Sequence, residues 1–149
     1  MVVRTADCMP VAFVAAAERP VCGIIHAGWR GLAAGILSKT LGRVLLEMKE
    51  EGRPAESLEL FIGPCISGDA YEVGRDVADH FELCIETAGR PHVDLTANAV
   101  LEIERFETAH NLPVRLIRDF AACTVKDNSE YYSHRKGDRG RNLNFLYIR

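Results

Sequence analysis

The chain has 149 residues, 48% of them hydrophobic and 26% charged, with a net charge of −3. That balance excludes a disordered polymer, and it offers no electrostatic attraction to nucleic acid or to an anionic membrane surface. No apolar run approaches the roughly 18–20 residues needed to cross a bilayer.

The length is that of about one domain, enough to bury roughly two-thirds of the surface an unfolded chain exposes. Met1-Val2-Val3-Arg4 leads straight into "TADC" with no signal peptide, and the near-immediate start on a strand leads us to expect sequence missing upstream. The five cysteines, Cys8, Cys22, Cys65, Cys84 and Cys123, are odd in number and contain no C-x-x-C. We therefore expect free thiols in a reducing cytoplasm, with Cys22 and Cys84 as small buried hydrophobes.

In chain order, "MPVAFVAA" (9–16) is apolar on both faces and reads as a buried strand. "ERP" (18–20) is a turn, and "VCGIIH" (21–26) is the returning strand. A helix is expected over residues 32–49, its stripe formed by Leu32, Ile36, Leu41, Val44, Leu45 and Met48, with Gly52 and Pro54 as the stop. "SLELFIG" (57–63) reads as a strand closed by Gly63-Pro64, and residues 70–82 as a helix. "VDL" (93–95) is extended, and Thr96 is the expected cap of a helix over 97–110. "VRLIRD" (114–119) and "NLNFLYIR" (142–149) read as strands, separated by the basic loop "SHRKGDRGR" (133–141). Strands and helices alternate without a strict βαβ rhythm, which predicts an α+β fold or a mixed sheet.

An antiparallel hairpin centred on Ala17-Glu18 pairs residues whose numbers sum to about 34, setting Cys8 opposite His26. Facing residues have Cβ atoms about 4.5–5.5 Å apart, a gap that one zinc ion bridges. A catalytic zinc takes three protein ligands, and His134 and Asp7 are candidates for the third, as is a histidine upstream. The alternative is a buried cysteine beside an ordinary hydrogen-bonded histidine.

"GWRG" follows, with glycines at 28 and 31 and a helix start behind them. Free N–H groups at a helix start attract phosphate, and Arg30 adds a bidentate contact. Otherwise Arg30 is a surface residue and Trp29 a core one. Cys65 in "GPCI" is a candidate nucleophile if a base lies near it, and a structural cysteine if not. His134, Arg135, Arg139 and Arg141 make their loop either an anion clamp or a solvated basic segment.

Taken together, "TADCMPVAF", "HAGWRGLAAGI", "IGPCISGDAYEVG", "VDL…N", "ACT" and "YYSHRKGDRGR" resemble, in order, the motifs of the YfiH-type family. Its members have been called multicopper polyphenol oxidases and, more recently, purine nucleoside phosphorylases. The resemblance spans nearly the whole chain. It implies an α+β fold with mixed β-sheets packed between helices, residues 1–149 being the C-terminal portion of a single YfiH-like domain whose N-terminal segment is absent. It also implies a zinc site of two histidines and one cysteine, with Cys8 and His26 as ligands and the other histidine upstream.

The implied activities are phosphorolysis of adenosine, inosine, guanosine and methylthioadenosine, and hydrolytic deamination of adenosine. Phosphate attacks the anomeric carbon as the base departs, so positive charge must hold it. Arg30 and Arg135 are the candidates, which gives Cys8, His26 and Arg30 as catalytic residues. The combined signature of cytidine-type deaminases, H-x-E with P-C-x-x-C, is absent. Competing readings are a copper-dependent phenol oxidase, a cysteine hydrolase built on Cys65, and a non-enzyme that acts through a partner. Five histidines without an H-x-H pattern argue against a multicopper cluster, although copper binds most N/S sites tightly.

Overall fold

The structure is a computed structural model and describes residues 1–117 and 122–147. Among the described residues, eight strands form three sheets. The central sheet has four strands: β2 (Met9–Ala16), β3 (Val21–Ala27), β4 (Ser57–Ile62) and β7 (Val114–Ile117), in the order β3-β2-β4-β7. β2 is antiparallel to both neighbours, whereas β4 and β7 run parallel. The sheet is therefore mixed, as expected. The crossover needed by the parallel pair includes the helix α4 (Leu95–His110).

β2 and β4 alternate between buried and half-buried residues. Met9, Val11, Phe13 and Ala15 meet Leu58, Leu60, Ile62 and Ile25 in one core layer. Helix α2 (Ile36–Glu50) covers it with Leu37, Leu41 and Met48, and α4 with Leu95, Ala99, Ile103 and Phe106. Each large aliphatic side chain buried in this way contributes about 1.5–3 kcal/mol. The other face carries Ala12, Val14 and Ala16, all half-buried. The expectation of a strand buried on both faces is thus corrected: small side chains on the second face read as core in a hydropathy pattern without being covered.

The expected helix over 32–49 is two helices. α1 (Trp29–Ala33) is a single short turn, and Gly35 in the left-handed region (φ 71°) ends it before α2 begins. Gly31 leaves room for the closely packed Ile36 of the second helix. With no side chain at the Gly35 cap, α2 takes its N-terminal partner from α4: the Ser38 N–H donates to Glu102 Oε1 at 2.7 Å.

The expected helix over 70–82 is reduced to a three-ten turn (Gly68–Ala70) and the four-residue α3 (Arg75–Ala78), with Gly74 as N-cap. Its apolar residues are spaced for a stripe, but Gly74 breaks the run. The cap of α4 is Asp94, whose Oδ1 accepts from Ala97 N at 2.9 Å, two residues before the expected Thr96.

Between these helices a hairpin passed unrecognised in the sequence. β5 (Cys84–Thr87) and β6 (Arg90–Val93) turn through Ala88 (φ 52°) and Gly89 (φ 73°). Positive φ at both central residues defines the type I′ turn, and alanine there is a weak sequence signal. The chain ends meet in a two-stranded ribbon, β1 (Val2–Thr5) against β8 (Asn142–Phe145). The strand expected over 114–119 is seen as far as Ile117, and residues 118–119 and 148–149 of the expected strands lie outside the described residues.

Candidate functional site

The site lies where β2 and β3 end beside the basic loop. The hairpin register differs from the expected one by two residues: Pro10 faces His26, Met9 faces Ala27, and the turn is centred on Glu18. Pro20 explains the shift. It has no N–H to give to a ladder, so β3 begins at Val21 and the connection widens to residues 17–20. Cys8 consequently stands by Gly28, where an added Cβ would lie 2.9 Å from Cys8 Sγ. A shift of two leaves Cys8 just outside the ladder, which begins at Met9, and two residues from Pro10, the partner of His26. His26 is exposed and Cys8 half-buried.

Asp7 organises the surroundings. It adopts φ 82° and is 8% exposed. Its Oδ1 accepts from Thr124 Oγ1 at 2.7 Å, and its Oδ2 accepts from the Arg135 N–H at 2.7 Å. Its backbone oxygen accepts from Ile66 N at 3.0 Å. One carboxylate thus binds the start of the basic loop and the segment after Cys123 to the base of β2. Both oxygens are engaged in holding the loop, which makes Asp7 a positioning residue. His134 is exposed. Among the described residues no group of three or more His, Cys, Asp or Glu side chains is arranged to hold a metal ion. Cys8 and His26 have the donor chemistry of a zinc site, but two donors fall short of a complete set.

The loop beyond Asp7 is tied internally. Asp138 Oδ2 accepts from Ser133 N at 2.8 Å and from Asn128 Nδ2 at 2.7 Å. Arg141 turns back onto the carbonyls of its own loop, Gly140 O at 2.6 Å among them. Arg139 is exposed. Arg135 places its guanidinium 5.2 Å from the centroid of Tyr71, a cation–π contact. Arg30 lies 4.3 Å over the ring of Trp29, which stacks on His80 at 6.1 Å.

Tyr71 links these groups and was not singled out in the sequence, although it stands in the "DAYEVG" motif. Burial and then the nearby Cys8 hold its phenol above the ordinary value, while Arg135 and Arg30 pull it down. Burial, followed by Asp7, likewise raises the Cys8 thiol, against a smaller lowering by Arg141. The Cys8 thiol therefore keeps its proton at neutral pH unless a base takes it or a metal ion binds the sulfur and releases it to water.

Cys65 does not join the group as a nucleophile. It is 4% exposed, burial pushes its thiol up to about 11, and its Sγ meets Thr96 Oγ1 at 3.6 Å instead of a histidine. The helix-start reading behind Arg30 is also corrected, since α1 is one turn long and carries little dipole.

Two concavities lie apart from this cluster. One of about 260 Å³ is lined by Leu32, Ser38, His80, Glu102 and Arg105. Another of about 270 Å³ lies on the open face of the sheet by Pro10, Ile24, Phe61 and Phe145.

Fold and site together define an α+β protein in which the end of a mixed sheet gathers a thiol, an imidazole, an aromatic ring and arginine side chains. Residues 1–149 match the family described as multi-copper polyphenol oxidoreductase laccase, and the chain belongs to that family, the YfiH-type proteins. It is 34% identical over 148 residues to a purine nucleoside phosphorylase of Xylella fastidiosa (strain Temecula1), covering 93% of this chain and 52% of the relative. It is 31% identical over 150 residues to the purine nucleoside phosphorylase YfiH of Escherichia coli (strain K12), covering 98% and 58%. The crystal structure of a Neisseria meningitidis protein superposes with a TM-score of 0.75 at 34% identity, over 95% of this chain and 57% of the other. YfiH of Bacillus licheniformis shares the fold, with a TM-score of 0.76 at 24% identity. The chain spans about half the length of the curated relatives it matches.

Proposed function

We propose that this chain contributes to phosphorolysis of purine nucleosides, with adenosine, inosine, guanosine and methylthioadenosine as the substrate class and adenosine deamination as a second reaction. The observation that carries the reading is the Asp7–Arg135 arrangement. A buried carboxylate grips the Arg135 backbone N–H and leaves its guanidinium free over Tyr71, close to Cys8 and Arg30. That leaves a positioned cation available to a phosphate. Arg30, supported on the Trp29 ring, is the second phosphate contact. Fixing the anion beside the sugar supplies orientation, and the arginines offset its charge as the base departs. Relatives named purine nucleoside phosphorylase support the same reading.

Zinc is the proposed cofactor, with Cys8 and His26 as two of its donors. When bound, zinc acts as a Lewis acid toward oxygen. Gly28 keeps the space beside Cys8 Sγ open, a reason for glycine at that position. Among the described residues no helix is long and apolar enough to cross a membrane, and five free thiols suit a reducing cytoplasm.

The test is release of hypoxanthine from inosine with and without phosphate, by this chain and by a version of relative length, with zinc and copper counted by elemental analysis. Release that requires phosphate, and a phosphate KM raised about tenfold or more by Arg135→Ala, are the expected results. Phosphate-independent release overturns the reading, as does phenol oxidation that follows copper content.

A further inference from the structure

Outside the cluster at Cys8, two cysteines, Cys65 and Cys123, are partners across an isolated parallel backbone bridge. Cys65 N donates to Ala122 O at 3.0 Å, and Thr124 N donates to Cys65 O at 3.1 Å. Such partners stand one strand spacing apart, roughly 4.8 Å, and their side chains leave the same face. A disulfide requires a Cα separation of about 4.4–6.8 Å.

The two thiols differ in kind. Cys65 is buried and sits against Thr96. Cys123 is half-buried and lies in a ring of donors: Ser67 N is 3.4 Å from its Sγ and Ser67 Oγ is 3.0 Å away. Ser67 Oγ also lies 2.6 Å from Asp69 Oδ1, and Asp69 is paired with Lys126 at 2.5 Å. A hydroxyl has one proton. With Cys123 protonated, its S–H donates to Ser67 and Ser67 donates to Asp69. With Cys123 ionised, Ser67 turns and donates to the thiolate. Both states keep every group bonded. Burial raises the Cys123 thiol, but the Ser67 hydroxyl and amide, with the Lys126 and Val125 amides, outweigh it and leave the thiol below its ordinary value.

We propose that Cys123 is a peroxide-reactive thiol and Cys65 its resolving partner. The Cys123 thiolate attacks one oxygen of a hydroperoxide. The S–O bond forms, the O–O bond breaks, and the released alkoxide or hydroxide takes a proton from water. Sulfur is oxidised by two electrons and the peroxide reduced by two. The Cys65 sulfur then attacks the sulfenic sulfur, and its proton leaves with the hydroxyl as water, closing Cys65–Cys123. A dithiol reductant reopens the bond by thiol–disulfide exchange and is itself oxidised to a disulfide. Cys65 and Cys123 each precede a residue that holds Asp7, namely Ile66 and Thr124.

The experiment treats the full chain with hydrogen peroxide, blocks remaining thiols under denaturing conditions, and maps the peptides by mass. A Cys65–Cys123 link in the wild type is expected. Cys65→Ser should stop at a dimedone-reactive sulfenic acid on Cys123, and Cys123→Ser should leave Cys65 reduced. Cys22 and Cys84 serve as internal references. Reaction of Cys123 no faster than these two overturns the proposal, as does a link from Cys65 to Cys8. The wild-type map stands whether or not Cys65→Ser folds. In the folded protein, Ser67→Ala should slow alkylation of Cys123 by iodoacetamide at least about threefold, and an unchanged rate removes the activating role of Ser67.

Discussion

Asp7 combines a strained backbone with a fully used carboxylate. Its φ of 82° is in a region that asparagine tolerates better than most residues. Asp7→Ala strands the Arg135 N–H and the Thr124 hydroxyl, and should lower stability by about 2–4 kcal/mol, read from the denaturant midpoint. Asp7→Asn behaves differently. Its carbonyl oxygen still accepts from Arg135 N–H, and Thr124 Oγ1, which both donates and accepts, turns to receive the new N–H. We expect a loss of about 1 kcal/mol or less, so a large loss in both variants would show that charge, more than hydrogen bonding, holds the loop.

Asp138 is the other carboxylate of the loop, held below its ordinary value by the Ser133 N–H and then by Asn128. Its contribution is complete above the unfolded aspartate value near 3.9 and is lost as pH falls through the lowered folded value. Protection of the Ser133 amide against hydrogen exchange, relative to the intrinsic rate at each pH, should therefore fall on acidification below about pH 4. In Asp138→Ala, which has no acceptor left for the Ser133 N–H, protection should already be low at neutral pH, without that acid step.

At the level of elements, breaks and caps shape the site more than helix propensity does. Gly35 divides the expected helix because it adopts φ 71°, which costs a side-chain-bearing residue about 1–2 kcal/mol. An added Cβ meets only Glu102 Oε1 at 3.7 Å, an ordinary contact. Gly35→Ala should therefore lose about 1 kcal/mol through backbone conformation alone, and Gly35→Asn less, measured by thermal unfolding. Equal losses would point to packing instead. The break leaves Trp29 and Arg30 on a separate single turn, from which Arg30 lowers the Tyr71 phenol.

Across the whole molecule, the chain closes on itself. β1 pairs with β8, and Asn144 Nδ2 donates to Thr5 Oγ1 at 2.9 Å across 139 positions. Thr5 is 1% exposed and stands two residues before Asp7. Stability at the site therefore depends on a ribbon that only the folded chain assembles. Asn144→Ala should lower stability by about 1 kcal/mol and the melting temperature by about 2–4 °C. Exchange at Thr5 should rise with it, while the Leu60 amide in the central sheet stays protected. Equal acceleration at both would show that the ribbon and the sheet open as one unit.

The strands at 9–16, 21–26 and 57–62 were legible because alternating or continuous apolar runs end at Pro, Gly or polar turns, and the α2 and α4 stripes were legible for the same kind of reason. The family resemblance rested on motifs in order, whereas the facing of Cys8 and His26 rested on a register that the fold shifts by two residues, to Pro10 opposite His26. The register was beyond local reading, because it depends on where Pro20 ends the ladder. The β5–β6 hairpin escaped because Ala88 carries no turn signature, and the Asp94 cap because Thr96 is an equally good capping residue nearby. Tyr71, the Asp7 clamp and the Cys65–Cys123 pair join residues up to 128 positions apart. Their meeting is decided by the packing of loops around the sheet end, where no periodicity in the chain records which side chains will touch.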